Sequence, residues 1–175
     1  TLFSAMKEAK QAVIIGSGFI GLEAASALAQ NGIKTTMLIR EDRLFPKLGS
    51  PELSDYFYQL YSKNKVEIIF QQTATAFLGT TKVKKVVTTS EEELPADIVV
   101  VGIGVIPNTE FLVNSGVELD NGVVVNEYLE TSRADVFAAG DIANYYDLTF
   151  KKRRRVEHWD NAKAQGRTAA LNMLG

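Results

Sequence analysis

Val13-Ile14-Ile15-Gly16-Ser17-Gly18-Phe19-Ile20-Gly21-Leu22-Glu23 decides the fold of this chain. Four apolar residues, Ala12 to Ile15, form a short run of the kind that fills a buried parallel strand. A glycine turn follows. Ile20 to Gln30 is rich in Ala and Leu and reads as a helix, stopped at Asn31-Gly32, where glycine suits a left-handed C-cap. Lys34 to Ile39 reads as a second strand. Strand, turn, helix and strand make one βαβ unit of the expected size. Within it, Gly16, Gly18 and Gly21 take the G-x-G-x-x-G spacing. That pattern is informative here because it follows a strand and opens a helix. Gly16 permits the tight turn, Gly18 lets the backbone approach a pyrophosphate, and Gly21 lets the helix pack closely on the strand. The free N–H groups of the helix N-terminus, offered by Ser17, Phe19, Ile20 and their neighbours, favour phosphate.

Working outward, Ser54 to Asn64 reads as a second helix and Val66 to Phe70 as a third strand. Thr73 to Leu78, Lys82 to Ser90 and Leu94 to Pro95 alternate and are rich in Thr and Val, an antiparallel meander with the acidic run Glu91 to Glu93 at its tip. Ile98 to Val101 is a strongly apolar strand expected in the centre of the sheet. The fold class is therefore α/β: a Rossmann-like parallel sheet with an antiparallel meander crossover. A second unit starts near Gly102. It holds a loop with Pro107, a short helix around Glu110 to Ser115, strands at Val123 to Val125 and Val136 to Ala138, the basic stretch Lys151 to Arg155, and a helix from about Asn161 to Leu174. The expected division is 1–104 and 105–175.

Composition narrows the chemistry. The 175 residues are 46% hydrophobic and 23% charged, with net charge −2, which gives no global attraction to nucleic acid or to an anionic membrane. The basic stretch has no aromatic stacking platform beside it and reads as a solvated segment. No apolar run reaches membrane-spanning length and the first ten residues lack a signal-peptide core, so a cytoplasmic location is expected. The chain has no cysteine and one histidine, His158, which excludes thiolate zinc sites and a redox dithiol in this segment and leaves no metal site in view.

The end of the second strand bears on NAD versus NADP. A carboxylate there bonds a ribose 2′-hydroxyl, whereas an arginine accommodates a 2′-phosphate. The position that ordinarily carries the acid falls on Ile39, with Arg40 next, which slightly favours NADPH. The other reading leaves Arg40 in solvent and gives Glu41 or Asp42 the ribose role. Glu23 reads either as a surface carboxylate or as a group facing the nicotinamide.

Two further stretches follow the glycine turn in order: Ala96-Asp97-Ile98-Val99-Val100-Val101-Gly102-Ile103-Gly104-Val105-Ile106-Pro107-Asn108 and Thr131-Ser132-Arg133-Ala134-Asp135-Val136-Phe137-Ala138-Ala139-Gly140-Asp141. Together they resemble the FAD/NAD-linked pyridine nucleotide–disulfide reductase superfamily. Arg155-Val156-Glu157-His158-Trp159-Asp160 resembles its branch of apoptosis-inducing-factor-like proteins, monodehydroascorbate reductases and ferredoxin or rubredoxin reductases. The resemblance implies an interrupted flavin domain: 1–104 would be the inserted NAD(P)-binding domain and 105–175 the resumed part of the FAD domain. The family's own FAD glycine motif would lie before Thr1, and the absence of an initiator methionine fits a chain cut from a longer protein.

By position, the resemblance places Asp141, after Gly140, on the flavin ribityl chain. It sets Glu157, His158 and Trp159 beside the isoalloxazine, points the last helix at the flavin's pyrimidine edge, and brings Gly102, Ile103, Gly104 and Glu23 near the nicotinamide. Structural readings stand beside these: Asp141 as a turn residue, His158 as a satisfied histidine, Trp159 as core. The implied parent is an FAD-dependent NAD(P)H oxidoreductase that passes hydride to flavin and electrons to an acceptor, a ferredoxin-like protein being one candidate. No side chain need serve as an acid or base, so no catalytic residue is assigned. Two alternatives are a non-catalytic nucleotide-binding or sensing module and a flavin-free NAD-dependent dehydrogenase. The isolated chain is expected to be inactive and to show disorder, strand exchange or dimerisation beyond about Pro107.

Overall fold

A computed structural model describes residues 2–175, apart from the side chain of Lys47. In chain order the elements are α1 (Leu2–Met6), β1 (Gln11–Ile15), α2 (Phe19–Gln30), β2 (Lys34–Ile39), α3 (Pro51–Lys63), β3 (Val66–Phe70), β4 (Ala74–Gly79), β5 (Val83–Thr88), β6 (Glu93–Pro95), β7 (Ile98–Val101), β8 (Val123–Val124), β9 (Ala143–Asp147), β10 (Lys152–Arg154) and α4 (Trp159–Leu174). The chain divides into two compact units, Thr1–Gly104 and Val105–Gly175.

In the first unit β3, β2, β1 and β7 form one sheet in that order, and every pairing is parallel. The two-residue alternation of the strands sends successive side chains to opposite faces. Ala12, Ile14, Met37 and Ile39 pack with Leu22, Ala25 and Leu28 of α2, and Phe57 and Tyr61 of α3 join that cluster. Val13, Ile15 and Leu38 pack with Val86 of the β4–β5–β6 meander and with Ala96 just after it. The helices thus cover one face of the sheet and the meander the other. A sheet buried on both faces needs apolar residues at consecutive strand positions, which is why β1 reads as a continuous run rather than an alternation.

Local chemistry sets the element ends. Ser50 caps α3 by accepting from the Leu53 amide at 3.2 Å, with Pro51 at the first helical position. Asp97 Oδ2 accepts from the Lys10 and Gln11 amides at 2.9 and 3.0 Å, fixing the start of β1.

The second unit gathers Val123, Val125, Leu129, Ala143 and Ala169 into its own core. β9 pairs parallel with β8 and antiparallel with β10. Two expectations fail here. The helix expected at Glu110 to Ser115 is a 3₁₀ turn over Glu110–Leu112: the β-branched Val113 is extended (ψ 131°) and Asn114 is left-handed (φ 68°). The strand expected at Val136 to Ala138 contributes only the bridge between Phe137 and Glu130, since Asp135 takes a positive φ and closes a turn just before it. Lys152–Arg154 of the basic stretch form β10, with Lys152 and Arg153 exposed as a solvated segment would have them. The last helix begins at Trp159 rather than Asn161. Nothing in the sequence announces β9, since Ala143-Asn144-Tyr145-Tyr146-Asp147 carries no apolar run.

Two substitutions separate core from cap. Leu28→Ala, at a side chain with no exposure, is expected to cost about 2–5 kcal/mol. Ser50→Ala should cost about 1 kcal/mol. Urea unfolding checks both, and a smaller loss at Leu28 than at Ser50 would contradict the packing described.

Candidate functional site

In the first unit the glycine turn lies at the carboxyl end of β1, between the ends of β2 and β7. This is the crevice where open α/β sheets bind ligands. The Gly16 amide donates to the Leu38 carbonyl at 3.0 Å and the Gly102 amide donates to the Ile15 carbonyl at 2.8 Å, so both neighbouring strands hold the turn.

Three glycines make this geometry by mutual approach. A Cβ on Gly16, whose φ is +109°, would overlap the Gly102 carbonyl. One on Gly21 would lie 2.6 Å from the Gly16 carbonyl oxygen, and one on Gly102 would lie 3.2 Å from the Gly21 nitrogen. Gly18 differs. Its backbone is extended, with φ −72° and ψ 171°, which any residue can adopt. The nearest atom a Cβ there would meet is the Gly102 carbonyl oxygen at 3.9 Å. Internal packing therefore accounts for Gly16 and Gly21, while nothing in the packing requires glycine at position 18, where a Cβ would make only ordinary van der Waals contact.

That N-terminus is unsatisfied. Gly18 caps α2 with no side chain, and the first turn holds no acidic residue. The amides of Phe19, Ile20 and Gly21 have no intrahelical acceptor. By contrast α3 is capped by Ser50 with Glu52 in its first turn, and α4 by His158 with Asp160 in its first turn. An uncapped, acid-free helix N-terminus behind a glycine that packing does not require fits a diphosphate.

The remaining first-unit residues are distributed around that turn. Ile39 has no exposure and belongs to the core, so it offers nothing to a ligand. Arg40 is 83% exposed and pairs at 3.2 Å with Glu41, a surface pair that exchanges partners readily. Arg43 pairs with Asp42 at 3.1 Å beside a hollow of about 200 Å³ lined also by Pro51, Ser54 and Asp55. The Arg43 guanidinium lowers the Asp42 carboxyl from its usual range, and Asp42 raises Arg43 in turn. Ile103 and Gly104 are exposed at the end of β7. Glu23 is exposed on α2, and its field reaches Tyr61 of α3, whose hydroxyl donates to the Leu22 carbonyl at 3.0 Å. Burial first, then Glu23, raises the Tyr61 phenol.

In the second unit, Gly140 and Asp141 form the turn before β9, with Gly140 at φ +82°. The Gly140 amide donates to Oε1 of the buried Gln165 on α4 at 2.8 Å. Glu157 pairs with Arg155 at 2.9 Å. His158 is the α4 cap: its Nδ1 accepts from the Asp160 amide at 3.2 Å. Trp159 is not core; it is 75% exposed, with Lys163 Nζ 5.9 Å from its ring.

Sequence reasoning missed Gln165, Arg155, Tyr61 and the packing role of Gly102. Only Gln165 left a legible trace, three residues after Ala162 and four before Ala169 on one helix face. Among the described residues no helix is long and apolar enough to cross a membrane.

Gly16→Ala is expected to destabilise by about 2 kcal/mol or more through a backbone overlap at positive φ, whereas Gly18→Ala should stay within about 1 kcal/mol; thermal unfolding separates the two. A second expectation concerns Tyr61. Its raised pKa favours the folded state while unfolded tyrosine is still neutral, below its ordinary value of 10.0, and that contribution is lost as pH rises through the folded value. Tyr61→Phe should flatten the alkaline limb of the stability profile, and an unchanged limb would refute this.

Residues 1–166 match the family described as pyridine nucleotide-disulphide oxidoreductase. The chain is 33% identical over 166 residues to putidaredoxin reductase CamA of Pseudomonas putida, covering 93% of this chain and 39% of that protein. It is 36% identical over 178 residues to rhodocoxin reductase of Rhodococcus erythropolis, covering 100% and 41%. The crystal structure of a ferredoxin reductase from Rhodopseudomonas palustris superposes with a TM-score of 0.93 at 34% identity, over 99% of this chain and 43% of that one. A FAD-dependent member from Desulfovibrio vulgaris gives a TM-score of 0.89 at 33% identity, over 99% and 45%. The chain thus spans about two fifths of the length of these two curated relatives. With the ordered motifs, the parallel sheet and the match over 166 residues in agreement, the chain belongs to the pyridine nucleotide-disulphide oxidoreductase family.

Proposed function

We propose that this chain supplies the NAD(P)H-binding domain, 1–104, and the last flavin-contacting segment, 105–175, of a longer FAD-dependent oxidoreductase that accepts electrons from a reduced nicotinamide nucleotide. The observation that carries the reading is a glycine at 18 that internal packing does not require, set before the uncapped, acid-free N-terminus of α2. The amides of Phe19, Ile20 and Gly21 would hold the diphosphate. Arg40, free to leave Glu41, would meet a ribose 2′-phosphate and favours NADPH. Glu23, Gly102 and the exposed Ile103 and Gly104 would border the nicotinamide. In the second unit Asp141 would bond the flavin ribityl chain, and Glu157, His158 and Trp159 would lie along its ring.

When bound, the nicotinamide and flavin supply the hydride and electron chemistry of the reaction. The protein supplies position and electrostatics. His158 keeps the start of α4 in place through the Asp160 amide, and the Trp159 and Asn161 amides that it leaves uncapped would face negative charge against the opposing Asp160 carboxylate. Putidaredoxin reductase, one relative, is known in a covalent complex with putidaredoxin; a ferredoxin-like acceptor is the corresponding proposal here. Exposed apolar residues of the second unit, among them Ile106, Phe111, Leu148 and Leu174, support burial against further protein, by self-association when the chain is alone.

Titration with NADPH and NADH tests the reading. Saturable binding is expected with NADPH tighter, lost about tenfold in Gly18→Ala, while Arg40→Ala lowers NADPH affinity about tenfold and leaves NADH unchanged. Failure of the chain to bind either nucleotide would overturn the proposal.

A further inference from the structure

The basic stretch Lys151 to Arg155 does not act as one patch. Lys151 and Lys152 are exposed. Arg153 turns Nη1 onto the carbonyls of Val125 and Asn144 at 3.1 and 2.9 Å. Arg154 pairs with Asp147 and lies 4.8 Å from the Phe150 ring. Arg155 is the most enclosed, its side chain 9% exposed.

A single nitrogen of Arg155 does two things. Nη1 donates to the backbone carbonyl of Asp141 at 2.7 Å and lies 2.9 Å from Oε1 of Glu157. Two costs accompany this. Nε is buried with no acceptor, and an unpaired buried donor is unfavourable. Position 122 must also be glycine, because a Cβ there would lie 2.5 Å from Arg155 Cδ and equally close to the Ile142 carbonyl, at φ +126°. Gln165 holds the Gly140 amide. The Gly140 amide and the Asp141 carbonyl are thus held by two different side chains, Gln165 and Arg155.

We propose that Arg155 is the positioning residue of the flavin-facing end of this unit, fixing the Asp141 turn and the Glu157 carboxylate in one geometry and neutralising that carboxylate. The inference rests on the reading that Asp141 and Glu157 meet a flavin. An unpaired carboxylate beside that group disfavours its reduced, anionic form, so the guanidinium acts on the redox equilibrium as well as on shape.

The test uses the FAD-loaded protein that carries this chain, with flavin affinity and midpoint potential as readouts. Arg155→Met is expected to weaken FAD binding about tenfold or more and to move the potential to more negative values. Arg155→Lys keeps the charge and removes the orphaned Nε donor, so it should hold FAD within about threefold of the parent at an unchanged potential. Glu157→Gln leaves the guanidinium unopposed and should move the potential the other way, which keeps the test decisive if Arg155→Met does not fold. Nicotinamide binding to the first unit should stay the same in all three. Potentials that fail to move, or that move together in Arg155→Met and Glu157→Gln, would overturn the role of Arg155 alone. A parent protein that carries no FAD would overturn the reading beneath it.

Discussion

Backbone must touch backbone at Gly16, Gly21 and Gly102, and the first unit is organised around that contact. The ends of β1 and β7 and the start of α2 meet closer than any side chain allows. A methyl group at Gly16 or Gly21 would push helix from strand and open the turn that both neighbouring strands hold through Leu38 and Ile15. The large apolar clusters on both faces of the sheet supply most of the stability, since burial of apolar area is the dominant favourable contribution to folding. They do not determine where the helix begins. The glycines do.

Once that contact is made, the electrostatics of α2 follow. Each of the longer helices starts with unpaired amides. In α3 and α4 side chains of Ser50 and His158 answer them, and Glu52 and Asp160 oppose the positive end of the dipole. In α2 nothing in the described residues does, and packing does not require the glycine at 18. The second unit solves a related problem by other means. The Gly140–Asp141 turn has a glycine at positive φ, and two different side chains, Gln165 and Arg155, hold its peptides. One site is shaped by the absence of side chains, the other by two polar ones held in a protein interior.

The sequence determined much of the first unit because its signals are local. Continuous apolar strands, a glycine turn in a fixed spacing, an Asn-Gly stop and an alternating meander each constrain the backbone over a few residues. The candidate residues at Gly16 to Gly21 were legible for that reason. Signals were weaker after Gly104. β9 lacks an apolar run, and the 3₁₀ turn at Glu110–Leu112 and the lone bridge at Phe137 depend on left-handed residues at Asn114 and Asp135 that composition does not announce.

Only the tertiary structure decided how residues far apart in the chain divide their work. It showed that Ile39 belongs to the core, that His158 caps a helix, that Trp159 stands in solvent, and that the three arginines of the basic stretch have separate partners. A sequence records which side chains exist and the period with which they recur. It does not record which carbonyl lies 2.7 Å from a guanidinium, because that distance is set by the simultaneous packing of β9, β10 and α4, and by a glycine at 122 whose lack of a Cβ makes room for an arginine 33 positions later.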